Sequence, residues 1–130
     1  MTVFSNAKKG RREDLGGQYF RSSYEANYAR WLNLLIVKES KIERWEYESD
    51  VFEFTKIRKG TRFYTPDFKV YFGDGHIEYH EVKGWDYPKG RVARERMAKY
   101  YPKVILVLID GGFFKALKSQ HIGKLIENWE

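Results

Sequence analysis

The chain has 130 residues and a formal net charge of +6, from 24 Lys and Arg against 18 Asp and Glu. Hydrophobic residues make up 42% and aromatic residues 18%, which is enough for the core of one domain and excludes a wholly disordered chain. The absence of cysteine excludes disulfide frameworks and thiolate metal sites. The longest apolar run, over residues 104–109, is far shorter than the roughly 20 residues of a membrane span. We therefore expect a cytoplasmic, basic domain whose partner is a polyanion.

The elements expected along the chain begin with a flexible basic arm over residues 1–19, where glycines are interspersed with charges. Apolar residues at helical spacing predict a helix over 22–37. Extended segments over 42–57 and 63–72 follow, then a Gly-Asp-Gly turn at 73–75 and a return strand over 77–83. A helix over 91–101, a buried strand over 104–109 and a partly helical tail over 113–130 complete the chain. The order α-β-β-β-α-β predicts a single α/β domain, residues 1–130, with a mixed central sheet flanked by helices.

Three charged residues lie on the two strands of the predicted hairpin. Glu81 and Lys83 are two residues apart, so they point to the same face of their strand. Asp67 joins that face only if it stands opposite Glu81 or Lys83 in the strand pairing. A shared site therefore predicts an odd-length loop, or a bulge, around residues 73–76. Taken singly, Pro-Asp is often the start of a turn and Glu-x-Lys is often a surface ion pair.

Glu25 falls within the apolar stripe of the first predicted helix. A buried carboxylate is costly unless it is paired or holds a metal ion. Ser22 and Glu25 also match a capping box, in which the glutamate reaches back to the start of its own helix. The capping interpretation is favoured when Glu25 is considered alone. Both interpretations place Glu25 on the first helical turn, so one does not exclude the other.

Four stretches resemble the PD-(D/E)XK nuclease superfamily, and within it the phage endonuclease I family of Holliday-junction-resolving enzymes. They are Phe-Arg-Ser-Ser-Tyr-Glu at 20–25, Trp-Glu-Tyr-Glu at 45–48, Tyr-Thr-Pro-Asp-Phe at 64–68 and Glu-Val-Lys-Gly at 81–84. The resemblance covers roughly residues 20–110. It implies a restriction-endonuclease-like core, cleavage that needs Mg²⁺ (with Mn²⁺ as a substitute), and branched DNA bound by a homodimer whose subunits exchange a segment. For a phage protein the compartment would be the host cytoplasm.

The resemblance also implies roles for individual residues. Asp67 and Glu81 would be the carboxylate ligands of the metal, and the backbone carbonyl of Val82 would be a further ligand. Lys83 would orient the attacking water or help to deprotonate it. Glu25 would be an accessory acid that supports a second metal. Oxygen ligands of this kind suit Mg²⁺, which commonly binds through one or two carboxylates and substrate phosphate.

Basic side chains are concentrated in two parts of the sequence and predict contacts with DNA phosphates. They are Lys8, Lys9, Arg11 and Arg12 in the arm, and Arg91, Arg94, Arg96 and Lys99 in the second predicted helix. The alternative for the helix is an ordinary solvated face. Trp85 and Tyr87 follow the candidate site directly and would either pack the loop or stack on an opened base, with packing favoured.

Three functions are consistent with this sequence. The leading one is a metal-dependent endodeoxyribonuclease that resolves branched DNA in recombination. The others are a nicking or restriction-like nuclease for linear or damaged duplex, and a catalytically inactive DNA-binding module. A chain of 130 residues has room for one such site, so cutting both strands of a junction predicts a dimer.

Overall fold

The fold is described from a computed structural model for residues 9–83 and 88–130. Its strands are β1 (Gly10–Arg12), β2 (Gln18–Phe20), β3 (Ile42–Tyr47), β4 (Phe52–Glu53), β5 (Phe63–Tyr64), β6 (Phe68–Phe72), β7 (Ile77–Lys83) and β8 (Ile105–Asp110). Its helices are α1 (Ser23–Glu39), α2 (Pro88–Tyr100) and α3 (Gly111–Ser119), and short 3₁₀ turns lie at Glu13–Leu15 and Ile122–Lys124.

A mixed four-stranded sheet forms the centre of the molecule, in the order β3-β6-β7-β8. Strand β6 is antiparallel to both β3 and β7, whereas β8 is parallel to β7. Parallel neighbours need a long crossover connection, and the segment that includes α2 supplies it. The elements that build this sheet therefore occur in the order α-β-β-β-α-β, and the predictions of a mixed α/β fold and of that order are confirmed.

Helices cover both faces of this sheet because its strands alternate apolar residues between the two sides. Phe68 and Val70 of β6 pack with α1 and α3 in the larger core, together with Phe20, Ala26, Tyr28, Ala29, Leu32, Val82, Ile109 and Phe114. On the opposite face a smaller core joins α2 to the β4–β5 pair through Phe54, Tyr64, Ala93 and Met97. The candidate site lies where the ends of α1, β6, β7 and α2 meet.

The hairpin between β6 and β7 has the register that a shared site requires. Phe68 pairs with His80 and Tyr71 pairs with Ile77, so the next position, Asp67, stands opposite Glu81. The Phe72 N–H donates to the carbonyl of His76 at 3.0 Å, which leaves the three-residue loop 73–75. Gly75 in that loop has a φ of 96°, a conformation that residues with a Cβ rarely adopt. The predicted odd-length loop is confirmed.

Each of the two long extended segments is divided into two strands, which the sequence analysis did not predict. Pro66 separates β5 from β6 because proline has no N–H to donate to a sheet ladder. Glu48 ends β3 in a left-handed conformation with a φ of 49°, and its N–H donates to the Asp67 carbonyl at 2.8 Å. Strands β4 and β5 pair with each other instead of extending the central sheet.

The predicted flexible arm over 1–19 is wrong for the residues from Gly10 onward, which form the β1–β2 hairpin. Gly16 and Gly17 have left-handed φ values of 71° and 77° and make the turn that returns the chain. Phe20 at the end of β2 is fully buried and packs against the rings of Tyr47 and Phe68. Apolar anchoring and strand pairing therefore fix this segment, and residues 1–8 lie outside the described part.

The helix after β8 begins at Gly111, two residues before the predicted helical tail over 113–130. The Asp110 side chain caps α3 by accepting from the Phe113 N–H at 3.2 Å, so the two glycines form its first turn. Phe114 then stacks on Tyr24 with ring centroids 4.5 Å apart.

Within residues 9–83 and 88–130, no helix is long and apolar enough to cross a membrane.

Candidate active site

Asp67 and Glu81 face each other at the end of the β6–β7 ladder. The Val82 N–H donates to Asp67 Oδ2 at 2.8 Å, and the Asp67 N–H donates to Glu81 Oε1 at 3.1 Å. Both residues are buried, at 7% and 5% exposure. Each carboxylate therefore has one oxygen fixed by a backbone donor, and the pair is held by the strands rather than by flexible side chains.

Lys83 completes this part of the site from the same strand. Its Nζ lies 3.1 Å from Glu81 Oε2, which agrees with the predicted common face of the two side chains. The first turn of α2 approaches it closely, since a Cβ added to Gly90 would lie 3.7 Å from Lys83 Nζ. The amine is thus held between a buried carboxylate and the start of a helix.

Glu25 is both a helix-capping residue and a neighbour of the site. Ser22 Oγ accepts from the Glu25 N–H at 3.1 Å, as in a capping box. Glu25 Oε1 accepts from the Arg21 N–H at 3.0 Å and from the Tyr47 hydroxyl at 2.5 Å. The backbone donor is one residue earlier than the N-cap donor of a standard capping box. The carboxylate is buried, and both interpretations of Glu25 are compatible with this geometry.

The three buried carboxyl groups influence one another electrostatically. Burial, followed by the charges of Glu81 and Glu25, raises the pKa of Asp67 well above its ordinary value, against the opposing effects of the Val82 N–H and Lys83. Burial also raises the pKa of Glu25, with smaller contributions from Glu48 and Glu81, although hydrogen bonds from Tyr47 and Arg21 oppose the rise. A bound cation would reduce the mutual repulsion of these groups.

The Val82 carbonyl faces the end of β6, where Pro66 offers it no hydrogen-bond donor. In an antiparallel strand the N–H and C=O of one residue point to the same side. The Val82 N–H reaches Asp67, so its carbonyl also faces the end of β6. The register places Pro66 opposite Val82, and proline has no N–H to donate to this carbonyl. The Pro-Asp pair thus leaves a backbone oxygen next to the carboxylates.

The donor atoms brought together here fit a hard cation such as Mg²⁺, because carboxylate and carbonyl oxygens are the ligands that it prefers. Within the described parts of the chain, however, no three carboxylate or imidazole groups already stand close enough to hold a metal ion. Asp67 and Glu81 are linked through backbone donors, as described above, and not by a direct contact between their side chains.

Two tyrosines that the sequence analysis did not single out line the site. Tyr47 holds Glu25, as described above. Tyr64 is buried, and its hydroxyl completes no hydrogen bond with the described residues. Burial, followed by the charge of Glu81, raises the pKa of this hydroxyl. The motif stretches at 45–48 and 64–68 already contained both residues, but only the fold shows that the Tyr47 hydroxyl binds Glu25 and that Tyr64 lies near Glu81.

Of the basic residues on α2 that were predicted to contact phosphate, two are exposed and two lie against other parts of the protein. Arg91 and Lys99 are exposed. Arg94 is half-buried, and its guanidinium lies 3.3 Å from the position that a Cβ on Gly90 would take. Arg96 donates to the backbone carbonyl of Thr61, so it fastens the loop before β5 to the helix.

The predicted contacts in the amino-terminal segment need one correction. Arg12 is not an exposed phosphate contact, because its guanidinium is buried and pairs with Glu130 at 2.7 Å. Arg11 is exposed and donates to the Gly17 carbonyl at 3.0 Å, and Lys9 is exposed. Lys8, Trp85 and Tyr87 lie outside the described residues.

Comparison with known proteins identifies no relative of this chain. No protein-family model matches the chain, and no curated protein or solved structure is significantly similar to it. A functional inference therefore depends on the geometry of the carboxylate site and on the motifs that the chain carries.

Proposed function

We propose that the protein is a metal-dependent endodeoxyribonuclease with a restriction-endonuclease-like core. The observation that carries this proposal is the pair of buried carboxylates, Asp67 and Glu81, that backbone donors fix beside Lys83 at one edge of the sheet. The charge of Glu25 acts on this pair, since it raises the pKa of Asp67. Three buried carboxyls in mutual repulsion beside an amine are costly for a structure without a ligand. They are useful where a divalent cation and a phosphate must be held together.

In this proposal, Asp67, Glu81 and the Val82 carbonyl offer oxygen atoms to Mg²⁺, and Mn²⁺ is a substitute. When bound, Mg²⁺ supplies Lewis-acid activation of the phosphodiester and of the attacking water. The chain contributes by fixing one oxygen of each carboxylate through a backbone N–H, so that the other oxygens keep a defined direction. Glu25 supports a second ion from the α1 side, oriented by Tyr47 and the Arg21 N–H.

Lys83 orients the attacking water or accepts its proton. Glu81 and the first turn of α2 hold the amine in place, so it meets the water with little loss of side-chain freedom. An amine in this position also binds a non-bridging oxygen of the phosphate. The Tyr64 hydroxyl, which is buried and has no completed hydrogen bond among the described residues, is a further donor toward that group.

Branched DNA is the substrate that the motif resemblance favours. One chain provides one carboxylate site, so cutting two strands of a junction requires two chains, and a homodimer satisfies this. The exposed basic residues Lys9, Arg11, Arg91 and Lys99 are available to contact phosphates of the arms.

The test is cleavage of a four-way junction and of a sequence-matched linear duplex in Mg²⁺. We expect the wild-type protein to cut the junction in preference, and EDTA to abolish cutting. Glu81→Gln should remove activity, because it keeps the side-chain volume but loses a charged ligand. Glu43→Gln, which alters an exposed glutamate at the opposite edge of the sheet, is the matched control and should cut normally.

Failure of this proposal has distinct forms. Cleavage by Glu81→Gln at the wild-type rate would reject the site. Equal cutting of both DNAs would reject the junction preference and favour a nicking or restriction-like nuclease. Binding without any cleavage would favour an inactive DNA-binding module.

A further inference from the structure

A third basic segment, outside the two parts of the sequence predicted to bind phosphate, precedes β5. Residues 55–63 contain no acid and four basic side chains, all of them exposed: Lys56, Arg58, Lys59 and Arg62. None of the four makes an ion pair with a residue in the described ranges. Basic side chains that are not neutralised by the fold itself are available to an external anion.

The segment is fixed in place against α2 rather than loosely attached. The Phe54 N–H donates to the Arg62 carbonyl at 2.8 Å, and Arg96 of α2 donates to the Thr61 carbonyl. The Tyr101 hydroxyl, just after α2, donates to the Glu53 carbonyl at 2.7 Å. The Arg62 guanidinium lies over the exposed ring of Phe63, 5.6 Å from its centroid.

A cleft of about 650 Å³ joins the segment to α2, and Lys89 of the helix lines it opposite residues 60–63. Arg91, in the same first turn of α2, is also exposed. Arg62 and Lys89 line the cleft itself. We define the loop–helix surface as the exposed basic side chains of this segment and of the first turn of α2: Lys56, Arg58, Lys59, Arg62, Lys89 and Arg91. It presents six positive charges and is built from two separate parts of the chain.

This surface borders the carboxylate site on the α2 side. Phe63 is followed directly by Tyr64, whose buried hydroxyl lies in the field of Glu81. The same first turn of α2 that carries Lys89 packs Gly90 against Lys83. The loop–helix surface therefore adjoins Lys83 through the first turn of α2, and an extended polyanion bound to it would lie close to the carboxylate site.

We propose that the loop–helix surface binds the phosphate backbone of a duplex DNA arm and guides that arm to the carboxylate site. The inference rests on the proposed function for the identity of the partner. Basic side chains on both sides of the cleft, Arg62 from the loop and Lys89 from the helix, with further exposed basic residues beside them, fit a continuous, regularly charged backbone. Contacts of this kind give affinity and position the DNA without reading its sequence.

The experiment measures binding alone, by fluorescence anisotropy of a labelled linear duplex and a labelled four-way junction in EDTA over a range of salt concentrations. Arg58→Ala combined with Lys59→Ala should weaken binding about tenfold and reduce the slope of log affinity against log salt by about 2, since each phosphate contact contributes about 0.9. Arg58→Lys should keep the wild-type slope, because the charge remains.

The matched control removes two equivalent charges at the opposite edge of the sheet. Lys38 and Lys41 are exposed there, near the end of α1 and the start of β3. Lys38→Ala combined with Lys41→Ala should leave the slope unchanged. An equal loss in both double variants, or an unchanged slope in the Arg58 and Lys59 variant, would overturn the inference.

Competition separates DNA from other polyanions. Unlabelled duplex should displace the probe far better than poly-glutamate of equal charge, and equal displacement would overturn the assignment to DNA. Cleavage is scored separately. A reduced slope together with absent cleavage would support the surface and reject the nuclease, whereas normal cleavage with an unchanged slope would reject only the surface.

Discussion

Replacement of Glu130 by glutamine tests how the first turn of α1, which carries Glu25, is held in place. The Glu130 carboxylate accepts from Arg12 Nε at 2.7 Å, from Ser23 Oγ at 2.6 Å and from Arg30 Nη1 at 3.0 Å. Burial alone would raise the pKa of Glu130, but these three donors outweigh it and lower the pKa to about 2. The ionised carboxylate therefore stabilises the fold, and glutamine cannot replace its charge.

The magnitude follows from linkage between ionisation and folding. A fall of the pKa from 4.5 to about 2 corresponds to about 3 kcal/mol in the free energy of unfolding at neutral pH. The carboxylate is partly exposed to solvent, so we expect a contribution of about 2 kcal/mol after screening. In a domain of this size, that loss lowers the Tm by about 8 °C.

The assay is urea unfolding followed by tryptophan fluorescence, for wild type and Glu130→Gln, at pH 7 and pH 3. Because the folded-state pKa is lowered, the stabilisation is complete above about pH 4.5 and declines as the pH falls toward 2. The difference between the two proteins should therefore shrink to less than half at pH 3. Glu127→Gln, at an exposed neighbouring position, should show no such difference. An equal gap at both pH values would refute the reasoning.

Three further changes probe the site and its hairpin. Asp67→Asn should raise the Tm in EDTA at neutral pH. The pKa of Asp67 is raised in the folded protein, so ionisation of this carboxyl destabilises wild type, and asparagine does not ionise. A lower Tm for the variant would contradict this. Tyr47→Phe should cost about 1 to 2 kcal/mol in urea unfolding, because buried Glu25 loses a hydrogen-bond donor; an unchanged midpoint would show that Glu25 has another partner. Gly75→Ala should lower the free energy of unfolding by about 1 kcal/mol, because Gly75 has a positive φ. Gly73→Ala should lower it less, because a Cβ there would make only ordinary contacts, and equal losses in the two variants would reject the argument.

Local sequence patterns predicted the elements around the candidate site, because interactions between residues close in sequence determine those elements. The strand over 77–83, the three-residue loop before it and the helix that carries Glu25 depend on alternation, turn residues and capping. The requirement that Asp67 share a face with Glu81 and Lys83 then predicted an odd-length loop, which the β6–β7 pairing confirms.

Long-range contacts determine what the sequence did not predict. The arm over residues 1–19 was expected to be flexible because its glycines are interspersed with charges. From Gly10 onward it is ordered, because Phe20 enters the core and Arg12 pairs with Glu130, which is 118 residues away in the chain. The roles of Tyr47 and Tyr64 likewise depend on where β3 and β5 lie beside α1 and β7. No local pattern carries that information.

Mg²⁺ binding is the most direct test of the central claim that the edge of the sheet holds a divalent cation. Isothermal titration of the DNA-free protein should show saturable Mg²⁺ binding in wild type and in Glu43→Gln. Asp67→Asn should bind at least about tenfold more weakly, because a ligand charge is lost while the fold is kept. Equal Mg²⁺ affinity in wild type and Asp67→Asn would contradict the claim.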